Sequence, residues 1–440
     1  MMRTLRYLSR LFGAFLVRFK GILFIGVGLG ILLFLILRFI VPSLFTREIE
    51  KIGLTGRYRV DTLPSFILEM VGDGLTHVSE SGKVEPNLAT SWSSDDGKTW
   101  TFELREDALW QDGKKVVSAD VNYDFLDTIV EKPDDKTIIF MLQNAFSPFA
   151  SVVSKPTFRQ GLLGTGEWKV ENLRLVGSFV EELILVNSKK DKKIFRFYPT
   201  EETAKLGFKL GKVDTLINLF NSQPFDDWKV TNVSKELNPN RVVAIFFNTQ
   251  DKLLGEKSFR QALAYAIQKD SFEGLRAISP LSSNSWVYNA QVKPYDYEAD
   301  RAKELIKELP KELEENLALK LVTTPVLLSV AEKVASDWKT LGVETSVQVS
   351  SNIPIEFQAF LAIIDIPSDP DQYSLWHSTQ TGTNISRYQN PRIDKLLEDG
   401  RLELNSEERR KIYLDFQRFL VEDSPAIFLY NPVSYTIRRK

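Results

Sequence analysis

The sequence between Pro86 and Phe125 is more informative about the fold than any other part of the chain. Its three key segments are Pro86-Asn-Leu-Ala-Thr-Ser-Trp-Ser-Ser-Asp-Asp-Gly-Lys-Thr-Trp-Thr-Phe-Glu-Leu-Arg105, Trp110-Gln-Asp-Gly-Lys114 and Ser118-Ala-Asp-Val-Asn-Tyr-Asp-Phe125. Residues 99–105 alternate β-prone and polar side chains, which predicts a half-buried strand. The Asp-Gly pairs at 96–97 and 112–113 are typical of tight turns, and a helix start is expected near Val121. The stretch therefore predicts a β-β-α unit.

The same stretch resembles the N-terminal hallmark of extracytoplasmic solute-binding protein family 5, the peptide-binding proteins of ABC importers. That hallmark runs Pro-x-Leu-Ala-x-Ser-Trp, then Asp-Gly-x-x-aromatic-x-Phe-x-Leu-Arg, then a second Asp-Gly. Further matches follow in the family's order at residues 164–170, 241–248, 258–270 and 294–305, so the resemblance covers roughly residues 50–435. It implies an α/β, two-lobed periplasmic-binding-protein-like fold of type II with mixed sheets.

The resemblance also implies a division of the chain into lobes. Lobe I is expected over residues 48–244, completed by residues 426–440, and lobe II over residues 245–425. The chain departs from the family's pattern in length, because the segments around 128–133 and 148–164 are short. We therefore expect a trimmed accessory subdomain in lobe I.

The N-terminal region is predicted to anchor the protein in a membrane. Residues 21–37 are apolar without interruption, and the run continues past Arg38 to Val41, which is enough to cross a bilayer core. Residues 1–20 are basic, so the positive-inside rule places this segment in the cytoplasm and the rest of the chain outside. The predicted location is the cytoplasmic membrane, with a single pass. A cleaved signal peptide is the alternative, but residues 41–46 offer only Ser43 and Thr46 as small residues for cleavage.

Composition excludes several functional classes. The 440 residues carry a net charge of −2, which argues against a nucleic-acid partner, and the chain has no cysteine and only two histidines. Disulfides, thiolate metal sites and multi-histidine metal centres are thereby excluded, and no cofactor or metal is expected. The sequence contains no Gly-x-Ser-x-Gly elbow, P-loop or His-Glu-x-x-His motif. We therefore expect a binding protein rather than an enzyme, with a carboxylate-based hydrolase as the weaker alternative.

Two aspartates are candidates for binding a ligand's amine. In the family, a carboxylate within an Asp-Tyr-x-(Asp/Glu)-Pro stretch pairs with the amino terminus of the peptide. The corresponding stretch here is Asp365-Ile-Pro-Ser-Asp-Pro-Asp371, in which Asp365 fits after a one-residue slip and Asp369 precedes the proline. A carboxylate at a strand end in a closed cleft suits an ammonium group. The alternative is an Asx-Pro turn, in which the aspartate binds its own backbone.

Aromatic and amide side chains in loop-like stretches complete the set of candidate ligand contacts. Loop aromatics often line binding clefts, although each of them could equally serve packing or turn formation. The candidates are Trp168, Trp286, Tyr288, Trp376, Asn384 and Tyr388.

The functional expectation is a membrane-tethered extracytoplasmic solute-binding protein. The resemblance implies that it captures peptides or similar small solutes and delivers them to an ABC transporter permease. A sensory or interaction module on the same fold, without transport, is the alternative. The fold itself does not determine the cargo.

Overall fold

The structure is a computed structural model that describes residues 17–35, 38, 48–314, 317–351 and 353–440. Its helices are α1 Lys20–Leu35, α2 Ser65–Val71, α3 Phe149–Val152, α4 Glu201–Lys209, α5 Lys257–Ala266, α6 Ala299–Lys307, α7 Lys311–Glu314, α8 Leu328–Lys339, α9 Tyr373–Trp376, α10 Pro391–Leu402 and α11 Ser406–Asp423. Its strands are β1 Ile49–Thr55, β2 Thr76–Val78, β3 Val84–Pro86, β4 Ala89–Ser93, β5 Thr99–Leu104, β6 Thr128–Glu131, β7 Thr137–Leu142, β8 Lys169–Val176, β9 Phe179–Val186, β10 Lys192–Tyr198, β11 Thr215–Leu219, β12 Thr231–Leu237, β13 Arg241–Phe247, β14 Gly274–Arg276, β15 Ala318–Thr323, β16 Glu344–Val349, β17 Ala359–Asp365 and β18 Ala426–Arg439.

Helix α1 lies within the predicted anchor at residues 21–41. It contains 16 residues, and its sequence is apolar after Lys20. Among the helices that the structure describes, none is both long and apolar enough to cross a membrane. Residues 1–16, 36–37 and 39–47, which include most of the predicted cytoplasmic segment and the end of the predicted anchor, lie outside the described residues.

The remaining chain forms two lobes around a long, mixed sheet. We call the region of β1–β12 lobe I and the region of β13–β17 lobe II. The strand order is β16-β15-β17-β13-β18-β11-β1-β10-β9-β8, and β12 and β14 also pair with β18. In lobe I, β1 runs parallel to β10 and β11, whereas β10 is antiparallel to β9. In lobe II, β15 is parallel to β16 and β17, whereas β17 is antiparallel to β13. Both halves of the sheet are therefore mixed, as predicted.

Strand β18 is shared by the two lobes. Its first residues, Ala426–Tyr430, pair with β13, and its last residues, Val433–Arg439, pair with β12. The same strand also pairs with β11 near Ile437, whose side chain is fully buried. The chain boundaries predicted for the lobes stay a prediction, and β18 is the element that joins them.

A second, four-stranded antiparallel sheet forms an accessory unit of lobe I, in the order β4-β5-β7-β6. Its core is aromatic, because Trp100, Phe102 and Trp110 are buried and the rings of Phe140 and Phe149 meet edge to face at 5.1 Å. Residues 86–125 thus supply β4, β5 and part of the core of this unit, and the β-β part of the prediction is confirmed.

The prediction of a helix from Val121 is wrong. A single 3₁₀ turn, Ser118–Asp120, is followed by extended chain over residues 121–125 and by a turn at residues 126–127 before β6. Val121, Tyr123 and Phe125 pack on the accessory core with a period of two, and the last two rings stack at 5.4 Å. The Lys132 ammonium also donates to the Val121 carbonyl at 2.7 Å, which occupies an acceptor that a helix would use.

Candidate functional site

A cavity of about 830 Å³ lies between the two lobes. Lobe I lines it with residues from the loop before α2, from α2 itself, from the following segment up to Val78, and from residues 151–156. Lobe II contributes Pro367, Ser368 and Asp369, which follow β17. Since loops at the ends of strands meet here from both lobes, the cavity is the candidate binding site.

At and behind the cavity lining, three backbone segments approach one another closely. A Cβ atom on Gly74 would lie 2.3 Å from the Ser154 carbonyl oxygen, and one on Gly164 would lie 2.0 Å from the Val71 carbonyl oxygen. Only glycine permits such contacts. The Gln111 amide then donates to the carbonyls of Val71, Gly166 and Trp168, at 2.9 Å each. The Gly164-Thr-Gly166 motif is therefore part of the wall behind the cavity.

The Asp73 carboxylate, which lines the cavity, is held by neutral hydrogen-bond donors. Thr165 donates its hydroxyl to Asp73 Oδ2 at 2.7 Å, and the Asn87 amide lies 3.4 Å from Oδ1. The Asp73 backbone N–H donates in turn to the Thr165 hydroxyl at 3.0 Å. These contacts fix the direction of the side chain without neutralising its charge.

The charge of the cavity is acidic on the lobe I side. Asp61, Glu69 and Asp73 line it, and none of the three forms an ion pair within the described part of the chain. Lys155 and His77 are the basic side chains that line the same cavity. Carboxylates that lack a cationic partner favour a positively charged group in the ligand.

The rim of the cavity is closed by direct contacts between the lobes. The turn between β2 and β3 reaches lobe II, where the Trp286 N–H donates to the Ser81 carbonyl at 3.0 Å. A Cβ atom on Gly82 would lie 2.4 Å from the Ser368 carbonyl oxygen. On another side, the Ser147 N–H donates to the Arg401 carbonyl at 2.7 Å. The structure is therefore a closed arrangement of the two lobes.

Both predicted aspartates are paired with arginine. Asp365 ends β17 and pairs across the sheet with Arg241, with an Nε–Oδ1 distance of 2.7 Å. The pair faces Tyr58 of lobe I. Burial raises the pKa of Tyr58, and the positive charge of Arg241, which lowers that pKa, only partly opposes this effect. Asp369 lines the cavity, but both of its oxygens accept from Arg409, at 2.6 and 2.9 Å. Burial alone would lower the pKa of Arg409, but the hydrogen bonds and the charge of Asp369 outweigh burial and raise that pKa above its ordinary value.

Three other predicted residues lie inside lobe II, away from the cavity wall. Trp376 is 1% exposed and donates its indole N–H to Gln372 at 2.8 Å. Asn384 is buried and joins the loop through the Tyr388 backbone, which accepts from its amide at 2.8 Å and donates to its oxygen at 3.2 Å. The Tyr388 hydroxyl donates to Asp423, and burial, together with that carboxylate, raises the pKa of Tyr388.

The remaining predicted aromatics are half-buried, and Trp168 of lobe I lies apart from Trp286 and Tyr288, which are neighbours in lobe II. Trp286 lies at the closed rim, as described above. Burial raises the pKa of Tyr288, and Arg276 opposes that shift. Trp168 precedes β8, donates its backbone N–H to the Met70 carbonyl at 3.0 Å, and has Lys193 over its ring at 5.1 Å. The structure thus brings only Asp369 and Trp286 to the cavity or its rim.

Sequence reasoning missed the acidic residues of lobe I. Asp73 stands between two glycines directly after α2, in Gly72-Asp73-Gly74. A charged residue in a glycine-flanked turn after a helix was the available signal. For Glu69, the sequence offers no signal beyond its place on a short helix next to that turn. Among the described residues, no three His, Asp or Glu side chains converge closely enough to hold a metal ion.

The fold and the interlobe cavity define a solute-binding protein of the two-lobed periplasmic-binding type. The family model described as "Bacterial extracellular solute-binding proteins, family 5 Middle" matches residues 83–384. The chain belongs to this family, which confirms the resemblance. Its members are extracytoplasmic binding proteins rather than enzymes, as the sequence predicted.

Several known proteins are similar over most of the chain. The dipeptide-binding protein of Escherichia coli (strain K12) is 24% identical, over 81% of this chain and 83% of its own. The nickel-binding periplasmic protein of the same organism is 25% identical, over 84% of each chain. Among solved structures, NikZ from Campylobacter jejuni in complex with Ni(L-His) has a TM-score of 0.74 and 23% identity, over 90% of this chain and 95% of that one. AppA from Bacillus subtilis in complex with a nonapeptide has a TM-score of 0.69 and 19% identity, with the same coverage.

Proposed function

We propose that this protein captures peptides, or small solutes of similar chemistry, in the interlobe cavity and delivers them to an ABC transporter permease. The observation that carries the proposal is the closed cavity with its uncompensated carboxylates, since a peptide brings an ammonium group. Relatives named for dipeptides, and a similar structure that holds a nonapeptide, support the same ligand class.

Within this proposal, Asp73 is the first partner of the ligand's ammonium group. Its side chain is held in place by Thr165 and Asn87, and no cation of the protein pairs with it in the described residues. Asp365 and Asp369, the partners predicted from sequence, each already pair with an arginine. A charge-assisted hydrogen bond to an ion of this kind contributes about 1.5–3 kcal/mol, which is roughly 10- to 150-fold in affinity.

The proposal includes a tether to the outer side of the cytoplasmic membrane through residues 21–41. The apolar sequence of that segment, with basic residues before it, supports this part of the proposal. Intact mass of the protein extracted from membranes tests this part. A loss of about 4–5 kDa, which corresponds to cleavage near residue 41 or beyond, would contradict an uncleaved anchor.

Thermal denaturation of the full chain in detergent, with a pool of di- and tripeptides, tests the capture of peptides. A ligand at one hundred times its dissociation constant adds about 2.7 kcal/mol to the free energy of unfolding, so a binder raises the melting temperature. The absence of a shift with any peptide of the pool would refute the peptide class.

A matched comparison tests the role of Asp73. The best peptide is compared with its N-acetylated form, on the wild type and on Asp73→Asn. We expect the acetyl group to cost at least tenfold in affinity on the wild type and little on the variant. Glu131→Gln, on the exposed edge strand β6, is the control for a lost carboxylate outside the cavity. An equal loss on the wild type and on Asp73→Asn would assign the ammonium group to another residue.

A further inference from the structure

The end of the lobe I sheet at which β1 begins carries many exposed cations. Strand β1 starts beside β10, where the Lys192 N–H donates to the Glu48 carbonyl at 2.8 Å. The starts of β11 and β12 and the end of β18 lie at the same end, because Thr215 pairs with Arg438 and Thr231 with Arg439. We call this surface the basic edge. Its exposed cations include Lys189, Lys190, Lys209, Lys212, Arg438 and Lys440.

Two acidic residues at the basic edge, Asp214 and Glu50, pair with cations, whereas Asp191 and the exposed Glu48 form no ion pair among the described residues. Asp214 lies between Lys51 and Arg439, at 3.9 and 3.7 Å. Glu50 pairs with Lys193 at 2.7 Å, and Asp191 accepts from a backbone N–H at 3.1 Å. Likewise, Lys189, Lys190, Lys212 and Arg438 form no ion pair among the described residues. The edge therefore keeps an excess of positive charge.

The same edge exposes apolar side chains between the cations. Ile49 is 52% exposed, Leu206 54%, Leu210 64% and Val230 54%. Leu206 and Leu210 lie at the end of α4, which returns to this edge between β10 and β11. Exposed aliphatic groups surrounded by lysines are the composition of surfaces that insert shallowly into lipid headgroups.

The chain length places this edge next to the proposed anchor. Only residues 42–47 separate the end of the apolar run at Val41 from Glu48. Six residues span at most about 20 Å even when fully extended. The basic edge therefore cannot lie far from the membrane surface, whereas the cavity opens elsewhere on the lobe.

We propose that the basic edge of lobe I contacts the membrane surface and binds anionic lipid headgroups, while lobe II does not contact the bilayer. This inference rests on the tether proposed above. This contact would fix the orientation of lobe I at the membrane and leave lobe II free to close. Each lysine or arginine near an anionic surface strengthens such an interaction about fivefold, and salt weakens it.

Lysine acetylation of the full chain in nanodiscs tests the inference. One set of discs contains phosphatidylcholine alone, and the other contains phosphatidylcholine with phosphatidylglycerol. We expect Lys189, Lys190 and Lys212 to be acetylated at least fivefold more slowly in the anionic discs, with the difference shrinking at high salt. Lys252 and Lys339 of lobe II, which are exposed, serve as references and should react equally in both.

Charge reversal provides the second readout. In the triple variant Lys189→Glu, Lys190→Glu, Lys212→Glu, the acetylation rate of Lys209 in anionic discs should rise to its rate in neutral discs. The matched triple variant in lobe II, Lys252→Glu, Lys307→Glu, Lys339→Glu, should keep the wild-type protection. If the protein stays in the discs but its lysines react equally in both lipids, the inference is overturned and the tether stands. If the wild type leaves the discs, the tether and the inference both fail.

Discussion

Gly82 tests whether the contact between the β2–β3 turn and lobe II controls closure. The residue has a φ of +79°, and a Cβ atom added there would lie 2.4 Å from the Ser368 carbonyl oxygen. That distance is about 1 Å shorter than an ordinary C···O contact of roughly 3.3–3.6 Å. Gly82→Ala therefore forces the turn and lobe II apart in the closed arrangement, whereas an open arrangement relieves the contact.

The size of the effect follows from two separate costs. A left-handed φ costs alanine about 1–2 kcal/mol, and this cost falls on the open and closed forms alike. Overpacking against Ser368 costs about 1–3 kcal/mol in the closed form alone. The closed-to-open ratio of Gly82→Ala should therefore fall about 5- to 150-fold, and the apparent affinity for ligand should fall with it.

Gly113→Ala is the matched control. Gly113 has a φ of +83° in a turn of lobe I, and a Cβ atom there meets nothing within 4 Å. This variant should lose similar stability but keep the closed population of the wild type.

Fluorescence energy transfer between the lobes measures the closed population directly. The chain has no cysteine, so dyes can be attached at Asp95→Cys in lobe I and Ser336→Cys in lobe II, both of which are exposed. We expect Gly82→Ala to shift the transfer efficiency towards the open form, and Gly113→Ala to leave it unchanged. Equal efficiencies for the two variants would show that this contact does not limit closure.

Three substitutions test the interior. Gln111→Met removes the donor shared by three carbonyls behind the cavity and should lower the free energy of unfolding by about 1–3 kcal/mol, measured by urea denaturation. Arg409→Met leaves the carboxylate of Asp369 unpaired and should cost about 3–5 kcal/mol in the same assay, whereas Arg410→Met, on an exposed side chain, should cost far less. Burial lowers the pKa of Lys269 to about 7, so the folded state binds fewer protons there than the unfolded state between that pH and its ordinary pKa of 10.5. The buried charge of Lys269 therefore destabilises the folded state fully below pH 7, and this destabilisation disappears towards pH 10. Between these pH values the free energy of unfolding of the wild type should rise, relative to that of Lys269→Met, by up to about 1.4 kcal/mol per pH unit. A difference between the two proteins that does not change with pH would contradict the lowered pKa.

The sequence predicted the elements whose periodicity is uninterrupted. The strand predicted at residues 99–105 from its alternating side chains is found as β5, Thr99–Leu104, whose apolar side chains are buried on one face. The region between Lys169 and Tyr198 was not predicted as three strands, because lysines and glutamates interrupt its alternation at the exposed edge. The capping residues Ser118 and Asp120 predict a helix from Val121, but they cap only a 3₁₀ turn, and the period of two over residues 121–125 is that of extended chain.

The candidate site was predicted less well than the fold, for a physical reason. A motif identifies residue types, but whether a carboxylate is free depends on partners that are distant in sequence. Asp369 meets Arg409 forty positions later, and Asp365 meets Arg241 across the sheet. Asp73 accepts from a neutral donor, the Thr165 hydroxyl ninety-two positions away, and forms no ion pair among the residues that the structure describes. Pairings at such separations are set by the tertiary structure alone.

The shared strand β18 also constrains how the protein is made. Lobe I begins near residue 48, yet its sheet pairs with residues 433–439, and the lobe II sheet pairs with residues 426–430. When the chain is exported from its N-terminus, neither lobe can complete its sheet until this strand has emerged. The exposed edges of β11 and β13 must therefore be kept from pairing with other chains throughout translocation. A truncation before Ala426 would therefore leave the sheets of both lobes incomplete at once.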